Sequence, residues 1–460
     1  MSALSSRSGR TRRRVLAITG GAVGACGAAI GGVAGGALLS ACGAPTGDRA
    51  APGTAGRLSS GPVRLSYTFW STETARQMQE RNAQLFTQRH PNITFEIIHN
   101  PDSYYEKLQT MFTGGAPPDV FDLASDQFPG WVLRNTMLDL TPLIKRDQGK
   151  DLDLKDIWPK TIKHYEWQGK QYGIPRSTST YALYYNAEHF ERAGVPPPDE
   201  HWTWDSLLDA AKRLTRPDAS QWGYWYHAWQ HWLWSAGGDI MVQDKEGRWR
   251  SMLADPRTVE AFQFLADLTH KHKAQPSGRQ DTSGLDDMRA FMAGKLAMFD
   301  ELVARTGDFR REKLSFRWDV APLPKHRSGG RASFERPSCR AIAPPSRYQE
   351  EAWAFLKFVT SSKEAQEQEA RTALWIMPSM RVSNSPVFLD PSQPPRNMKA
   401  FLDALNYARV NPVHPRWEEI NRMLGQELRD LWNGSRAAKE VLAGADQKLA
   451  GMLKEWGDAA

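Results

Sequence analysis

An ordered alternation of short apolar runs and amphipathic segments after residue 62 constrains the fold of this chain more than any other feature. The short runs alternate apolar and polar side chains as half-buried strands do, and the segments between them repeat apolar residues with a helical period. The predicted elements are a strand at 63–70, a helix at 74–90, a strand at 93–98, a helix at 104–113 and a strand at 120–123. This order predicts an α/β fold in which helices cover a mostly parallel sheet.

Three loops that follow the predicted strands are the first candidates for a ligand site. In sheets of this kind, ligands bind beyond the carboxyl ends of the strands, where the connecting loops meet. The loops are Ser71-Thr72-Glu73, residues 100–105 and Ser125-Asp126-Gln127. Ser71, Glu73 and Asp126 are therefore predicted ligand-binding residues.

Charge and cysteine content exclude several classes of protein. The formal net charge is +7, but five of the excess positive charges are arginines before Cys42, in a stretch without Asp or Glu. No long Lys/Arg block that could follow a phosphate backbone occurs later, so no nucleic-acid partner is expected. Only Cys339 lies beyond Cys42, so no intramolecular disulfide can form once a leader is removed. The fold must rest on its core, for which 460 residues suffice in two or three lobes.

The beginning of the chain is typical of a delivery segment. Leu39-Ser40-Ala41-Cys42 closes a Gly- and Ala-rich apolar stretch and resembles the lipobox of bacterial lipoproteins, which implies that Cys42 is acylated. Arg12-Arg13 before that stretch resembles the twin-arginine export motif. We expect a twin-arginine lipoprotein signal peptide at 1–41 and a lipidated flexible tether at 42–61. The alternative is a transmembrane helix, which the many glycines disfavour.

A series of motifs in the rest of the chain resembles one known family. The motifs are PDSYYEKLQTMFTGGAPPDVF from Pro101, GKQYGIPRSTSTYALYYNAEHFERAG from Gly169, HWTWDSLLDAAKRL from His201, SAGGD from Ser235, FMAGKLAMF from Phe291 and AWAFLKFVTSSKEAQ from Ala352. Together they resemble the extracellular solute-binding proteins (family 1, maltose-binding-protein-like) of carbohydrate ABC transporters. The match covers nearly the whole chain after residue 61.

The resemblance implies a two-lobed periplasmic-binding-protein fold, type II-like, in which interlaced α/β lobes hold a ligand cleft at the hinge. The chain would cross between the lobes near Arg176, Pro337 and Phe388. The implied N-terminal lobe comprises 62–176 and 338–388, and the implied C-terminal lobe comprises 177–337 and 389–460.

Tryptophan is unusually frequent, with 18 residues in the chain. Sugar sites need aromatic faces for stacking and carboxylate, amide or guanidinium groups for hydrogen bonds. Five tryptophans crowd between 222 and 234, and in a single helix four of them would share one face, as core residues often do. The family resemblance instead implies a strand near 222–226, a cleft loop and then a helix. On that basis Trp225, His227 and Trp229 are the cleft candidates.

The resemblance implies further cleft residues at matching positions. They are Tyr105, Asp126, Ser179, Asp300 and Trp375. At Ser179 this chain has a serine where the maltose-binding protein has a carboxylate, which argues against a maltose-type ligand. Asp300 begins an Asp-Glu-Leu segment where many relatives have Gly-x-Trp, so the resemblance implies that a stacking ring is missing and a carboxylate is gained.

These observations predict a lipid-anchored receptor that captures a sugar or related polyol and delivers it to the permease of an ABC importer. A monomer without cofactor or metal is expected. Within this class, the alternative ligand is a phosphorylated polyol such as glycerol phosphate, with Arg176 or Arg340 as the partner of the anion. The alternative of another class is a carbohydrate-binding surface protein without a transporter.

An enzyme is not expected. The remaining alternative is a secreted carbohydrate-active enzyme. A glycoside hydrolase needs two carboxylates on either side of the sugar bond, and Asp and Glu are plentiful in the chain, but no hydrolase motif selects such a pair. His227 and His231 are four residues apart, as helical metal ligands are, but lack a Glu-x-x-His context or cysteine partners. Packing or hydrogen bonding is therefore the preferred interpretation of the two histidines.

Overall fold

The computed structural model describes residues 56–147, 149–278 and 284–457. The strands are β1 Val63–Phe69, β2 Ile93–His99, β3 Val120–Ala124, β4 Glu166–Trp167, β5 Lys170–Gln171, β6 Ile174–Ser177, β7 Tyr181–Asn186, β8 Trp222–Trp225, β9 Met241–Gln243, β10 Trp249–Ser251, β11 Leu296–Leu302, β12 Trp318–Ala321, β13 Ser333–Phe334, β14 Ser338–Ile342 and β15 Ala408–Arg409. The helices are α1 Glu73–Arg89, α2 Tyr104–Thr113, α3 Phe128–Leu133, α4 Thr141–Asp147, α5 Pro159–Lys163, α6 Ala187–Ala193, α7 Trp204–Leu214, α8 Gln230–Ser235, α9 Pro256–His270, α10 Asp287–Met292, α11 Ala304–Glu312, α12 Gln349–Ser361, α13 Lys363–Ala370, α14 Met380–Ser383, α15 Pro386–Leu389, α16 Lys399–Ala404, α17 Trp417–Glu427, α18 Arg429–Trp432 and α19 Ala438–Trp456.

The first sheet has five strands in the order β2-β1-β3-β14-β6. β1 runs parallel to β2 and β3, as the sequence predicts, whereas β14 is antiparallel to both of its neighbours. The inward side chains of β1 pack against helices α1 and α12, where the rings of Tyr67, Phe86 and Phe355 meet. Cys339 on β14 is wholly buried, where a lone cysteine packs as a small apolar side chain.

The second sheet has four strands in the order β12-β7-β11-β8. β7 is antiparallel to β11 and β12, and β8 is parallel to β11. Helices α7, α9, α17 and α19 contribute to a large apolar core against this sheet. The chain therefore builds two helix-covered sheets, each with its own core.

Two short segments of chain pass between the sheets. The first lies between β6 and β7. The second lies between β14 and β13, a two-residue strand that pairs with β15 and whose Ser333 hydroxyl accepts a hydrogen bond from the amide of Tyr181 on β7. The backbone of Thr178 in the first segment forms two hydrogen bonds with Ile376, of 3.0 and 2.8 Å, and the amide of Arg336 in the second donates to the carbonyl of Ser179 at 2.9 Å. These bonds hold three stretches of chain side by side between the sheets.

The predicted elements and the observed ones agree closely over residues 63–124. The helix predicted at 104–113 has those limits, the three strands differ by one residue at one end, and the helix predicted at 74–90 is shifted by one residue at both ends. The region of crowded tryptophans is a strand, β8, followed by a loop and helix α8, so the single-helix alternative is wrong.

The predicted leader at 1–41, its arginines Arg12 and Arg13, and the lipidation site Cys42 lie outside the described residues, as does the tether up to residue 55. Among the residues that the structure describes, no helix combines the length and the apolar character needed to cross a membrane.

Candidate ligand-binding cleft

A cavity of about 320 Å³ lies where the loops of both sheets meet the segments that pass between them. The loops after β1 and β3 contribute Trp70 and Asp126, and the first turn of α11 contributes Arg305. The passing segments contribute Ser179 and Arg336. We call this space the inner cavity.

A second cavity of about 670 Å³ adjoins the inner cavity, because Trp70 and Asp126 line both. It lies between the start of α2, helix α3 and the start of α17, and we call it the outer cavity. Tyr105 and Trp417 contribute to its wall. Aromatic rings and hydrogen-bonding side chains thus line both cavities, and we call the two adjoining cavities together the cleft.

Half of the ten predicted ligand-binding residues lie in this cleft. Ser71, Asp126, Ser179 and Trp375 line the inner cavity, and Tyr105 lines the outer one. The described walls of both cavities leave out the other five, which are Glu73, Trp225, His227, Trp229 and Asp300.

Glu73 lies away from the cavity because it is the first residue of α1. Its carboxylate accepts a hydrogen bond of 2.8 Å from Arg76 Nε, one turn further along the same exposed helix face. An acidic residue in the first turn also complements the positive end of the helix dipole. The sequence predicts that Glu73 belongs to the ligand-binding loop, whereas in the structure it is part of α1 and its side chain lies on the helix surface.

The two predicted tryptophans pack into the core of the second sheet. Trp225 is the last residue of β8, beside Phe299 of β11, and is partly buried against the apolar cluster there. Trp229 lies before α8 with its ring 5.5 Å from the ring of Phe262. Both rings therefore pack in the core, which was the alternative to a position in the cleft.

Asp300 is a wholly buried structural acceptor. Its carboxylate accepts hydrogen bonds from the Tyr224 hydroxyl and from the backbone amides of His227 and Ala228, and it lies 3.2 Å from His231 Nε2. Burial alone would raise the pKa of Asp300, but His231, Tyr224 and His227 outweigh it and lower that pKa. The carboxylate therefore fixes the loop after β8 and does not reach the cleft.

His227 and His231 contact different carboxylates. His227 Nδ1 lies 2.6 Å from Asp287 Oδ2 and 3.2 Å from Glu301 Oε2, whereas His231 faces Asp300. His227 is in a loop and His231 is on α8, so the spacing of four residues does not bring them to one metal ion as helical ligands.

Arg176 connects the inner cavity to a buried network of charges. Its Nε lies 3.0 Å from Asp122 Oδ2, and its guanidinium carbon lies 4.2 Å from the centre of the Trp375 ring. The side chain is 2% exposed, and its Nη2 has no hydrogen-bond partner in the described part of the chain although it belongs to a residue of the cavity wall. A buried donor without a partner is well placed to bind an oxygen atom of a ligand.

Arg340, the other arginine proposed as an anion partner, lies behind this site. It contacts Tyr67, Gln79 and Glu369 in the core of the first sheet, with 3.2 Å between its Nη2 and Glu369 Oε1. It does not belong to the described wall of either cavity. Its positive charge instead stabilises the buried carboxylate of Asp122. The prediction that Arg340 could meet an anionic ligand is therefore wrong.

Asp126 lies between both cavities. Burial raises the pKa of Asp126, although the positive charge of Arg336 acts in the opposite direction. Tyr105 lies next to it, and the phenol oxygen of Tyr105 accepts a hydrogen bond of 3.2 Å from the amide of Ala124. The carboxylate of Asp126, the phenol of Tyr105 and the guanidinium group of Arg336 are thus neighbours where the two cavities meet.

Sequence reasoning missed several residues of the inner cavity, among them Trp70, Arg305 and Arg336. Trp70 immediately follows β1, so the rule that placed Ser71 in a ligand loop could have included it. Arg305 and Arg336 carry no comparable signal, because their position depends on the start of α11 and on a segment that returns from the second sheet.

Comparisons with known proteins agree with this geometry. A family model described as "Bacterial extracellular solute-binding protein" matches residues 70–366. An ABC substrate-binding protein of Listeria monocytogenes, solved in complex with cycloalternan, has a TM-score of 0.77 and 24% identity over 85% of this chain and 99% of that chain. The mannitol-binding protein of Pseudomonas aeruginosa is 22% identical over 414 residues, which cover 82% of this chain and 90% of that protein. An uncharacterized lipoprotein of Streptomyces antibioticus is 24% identical over 336 residues, or 69% of this chain and 71% of that protein.

Proposed function

Because the chain belongs to the bacterial extracellular solute-binding protein family, we propose that it captures a sugar or related polyol between its two lobes and delivers it to the permease of an ABC importer. The structural similarity confirms the predicted α/β, two-lobed periplasmic-binding-protein fold. Members of this family are solute-binding proteins, so the prediction that the chain is not an enzyme is confirmed and the hydrolase alternative is wrong.

The observation that carries the proposal is the composition of the inner cavity. Trp70 and Trp375 supply aromatic surface, and Asp126, Arg176 and Ser179 supply acceptors and donors. Sugars and polyols present hydroxyl groups together with C–H surface, and these two kinds of wall complement them. Groups from both sheets line the cavity, so a ligand gains its full set of contacts only when the lobes are closed, which shifts the population toward the closed state.

The balance of charge favours a neutral ligand over a phosphorylated polyol. The described wall of the inner cavity contains three guanidinium groups and three carboxylates. They are Arg176, Arg305, Arg336, Asp126, Asp308 and Glu335. Because these charges cancel, the cavity has no excess positive charge to balance a phosphate group, and we place the glycerol-phosphate ligand second.

We retain the lobe limits of 62–176 with 338–388 and 177–337 with 389–460 as part of the proposal. The passage of the chain from β6 to β7 and from β13 to β14 supports the first two crossings. We also propose export by the twin-arginine route through Arg12-Arg13, a lipid anchor on Cys42 and action as a monomer. The similarity to a bacterial lipoprotein supports the anchor, and the extracellular family supports a location outside the cytoplasm.

The Trp70→Ala variant should lose most of the affinity for the physiological ligand. The ring lines both cavities, so its removal takes away stacking surface along the whole cleft. We expect affinity to fall by about tenfold or more. Thermal shifts against monosaccharides, oligosaccharides, polyols and glycerol phosphates would first identify a ligand, because binding to the folded state raises the melting temperature. Calorimetry would then measure the dissociation constants.

The matched control is Trp249→Ala, which removes a partly buried ring on β10 outside both cavities. This variant should bind the ligand as the wild type does. A wild-type protein that responds to none of these compounds would contradict the proposed function. Equal loss of affinity in both variants would show that Trp70 acts only through the fold.

Ligand affinity should fall on acidification through the titration of Asp126. The raised pKa means that this carboxylate takes up a proton above the pH of about 3.9 at which an ordinary aspartate does so. The groups that face it are Arg336, Tyr105 and Glu418. A protonated carboxyl group loses its charge-assisted hydrogen bonds to ligand hydroxyl groups, so affinity drops in this pH range.

The sign of the effect on stability is opposite, which makes the test specific. Because the folded state raises the pKa of Asp126, protonation of this group favours folding, and acidification through this range does not weaken the fold at that site. Calorimetry between pH 4 and 7 should therefore show loss of binding by the wild type and a weak, pH-independent affinity in Asp126→Asn. A variant with the same pH profile as the wild type would rule out this carboxylate as the titrating group.

A further inference from the structure

Five charged side chains of alternating sign run from the inner cavity into the second sheet. Asp308 and Arg305 lie on α11 and belong to the cavity wall, Glu301 lies on β11, His227 follows β8, and Asp287 begins α10. We call these five residues the charged row. Successive contacts in the row are 2.9 Å from Asp308 to Arg305, 3.3 Å from Arg305 to Glu301, 3.2 Å from Glu301 to His227 and 2.6 Å from His227 to Asp287.

Glu301 is the central member of the charged row and the most buried. Its side chain is 1% exposed, whereas those of Arg305 and His227 are 30% and 37% exposed. A buried carboxylate requires compensation, and Glu301 receives it from a cation on each side. Burial raises the pKa of Glu301, while His227 and Arg305 act against that rise. The orientation of Arg305 is therefore coupled to His227 through a single buried group.

Arg305 can keep these contacts and still bind a ligand. Its contacts with Glu301 and Asp308 use Nε and Nη1, and a guanidinium group has five N–H donors in a fixed plane. Two carboxylates fix that plane at the cavity wall. A guanidinium group that is already oriented loses little freedom when it forms a hydrogen bond, and this is the condition for a strong and selective contact.

We propose that Arg305 is a ligand contact contributed by the second sheet, and that Glu301 and His227 are positioning residues that hold its guanidinium group at the inner cavity. The ligand role of Arg305 depends on the proposed receptor function. The holding of Arg305 by Glu301 and His227 is a property of the fold and can be measured without a ligand.

The charge of His227 gives the charged row a distinctive pH dependence. Burial alone would lower the pKa of His227, but the hydrogen bond to Asp287 and the charges of Glu301, Asp287 and Asp300 raise it to about 9. The ring of Tyr181, 6.1 Å away, is the neighbour on β7. Since the folded state raises this pKa, the stabilising contribution of His227 is fully present below about pH 6.5 and is lost as pH rises through 9.

The first experiment is an NMR titration of the histidine side chains in the ligand-free, full-length protein. His227→Gln assigns the signal, and the wild type should show a His227 pKa near 9. Glu301→Gln should lower that pKa and broaden the Nε–H signal of Arg305, because one fixed partner is lost. Glu191→Gln, which alters an exposed ion pair with Arg317, is the control and should change neither signal.

The second experiment measures binding of four probes by calorimetry: maltose, mannotriose, mannitol and sn-glycerol 3-phosphate. Arg305→Ala should lower the affinity for whichever probe the wild type binds by about tenfold or more, since a charged hydrogen-bond donor is lost. Arg305→Lys should not restore affinity, because the ammonium group cannot keep both carboxylate contacts and a planar donor face. Glu301→Gln and His227→Gln should each weaken ligand binding by several-fold. In the wild type, ligand affinity should fall by a similar factor as pH rises through 9, because His227 then loses its positive charge.

Four results would overturn the inference or one part of it. Unchanged affinity in Arg305→Ala excludes Arg305 as a contact, and unchanged affinity in Glu301→Gln together with a loss in Arg305→Ala excludes the positioning role. Submicromolar binding of Zn²⁺ that disappears in His227→Gln would mean that His227, Asp287 and Glu301, whose donor atoms lie within 4.8 Å of one another, form a metal site instead. If the wild type binds neither these probes nor any compound of the thermal-shift series, the ligand role of Arg305 fails with the proposed function, and the NMR titration decides whether Glu301 holds Arg305.

Discussion

The Arg176→Met variant should lose both ligand binding and about 3–5 kcal/mol of the free energy of unfolding. Methionine keeps much of the volume of the side chain but leaves the carboxylate of Asp122 buried and without its 3.0 Å contact to Arg176 Nε. Asp122 is wholly buried, and its pKa is already raised by burial despite Arg176 and Arg340. Loss of Arg176 therefore leaves this buried charge with only Arg340 and the Tyr67 hydroxyl to compensate it, which is destabilising. The free energy is measured by urea denaturation, followed by tryptophan fluorescence.

The double variant Arg176→Met with Asp122→Asn separates the two effects. Removal of the buried negative charge should recover part of the lost stability, whereas ligand binding should stay absent because the guanidinium group of the cavity wall is still missing. Arg192→Met is the surface control, since Arg192 forms an exposed ion pair with Glu188 within α6, and should change stability by less than about 0.5 kcal/mol. Full affinity in the double variant would mean that Arg176 does not contact the ligand.

The Asp300→Asn variant should lower the free energy of unfolding by about 2–4 kcal/mol while it leaves the cavity wall intact. The carboxylate accepts from a hydroxyl group and two backbone amides and faces a histidine, so nearly every direction around it is occupied by a donor. An asparagine brings an NH₂ group, which must face one of these donors. The backbone of the loop after β8 should consequently lose protection from hydrogen exchange.

The control for this variant is Asp403→Asn, because Asp403 forms an exposed pair with Lys399 one turn away, and the expected change is below about 0.5 kcal/mol. The pH dependence gives a second check. The folded state lowers the pKa of Asp300, so its contribution is present at neutral pH and should be lost only as pH falls below the value of about 3.9 for an unfolded aspartate. A stability difference from the wild type that disappears at pH 6 would contradict this assignment.

The local elements of the first sheet could be predicted from sequence because each is specified by its own residues. The helix Tyr104–Thr113 ends at Gly114 and Gly115, which favour helix termination. Along the first half of β1, buried apolar side chains alternate with more exposed polar ones. The rule that ligands bind beyond strand ends then located Ser71 and Asp126, both of which line the inner cavity. Ser179, Tyr105 and Trp375 were located through the family resemblance.

The same reasoning did not separate cleft residues from core residues around β8. Trp225 and Trp229 belong to residue types that suit a sugar site and a core equally well, and sequence spacing does not say which face of the strand or loop is covered. Asp300 shows the same limit for a polar group. Its role follows from Tyr224, His231 and two backbone amides, which meet it only after β8 and β11 pair.

The sequence by itself determined the alternation of strands and helices, the family and the two-lobed fold, because periodicity, chain breakers and ordered motifs are local properties of the chain. Only the tertiary structure decided which charges meet the cavity. Arg176, Arg305 and Arg336 come from three separate stretches, and Arg340 lies behind them although it is equally basic. The physical reason is that burial and pairing set the role of a charged side chain, and both arise from contacts between residues far apart in sequence.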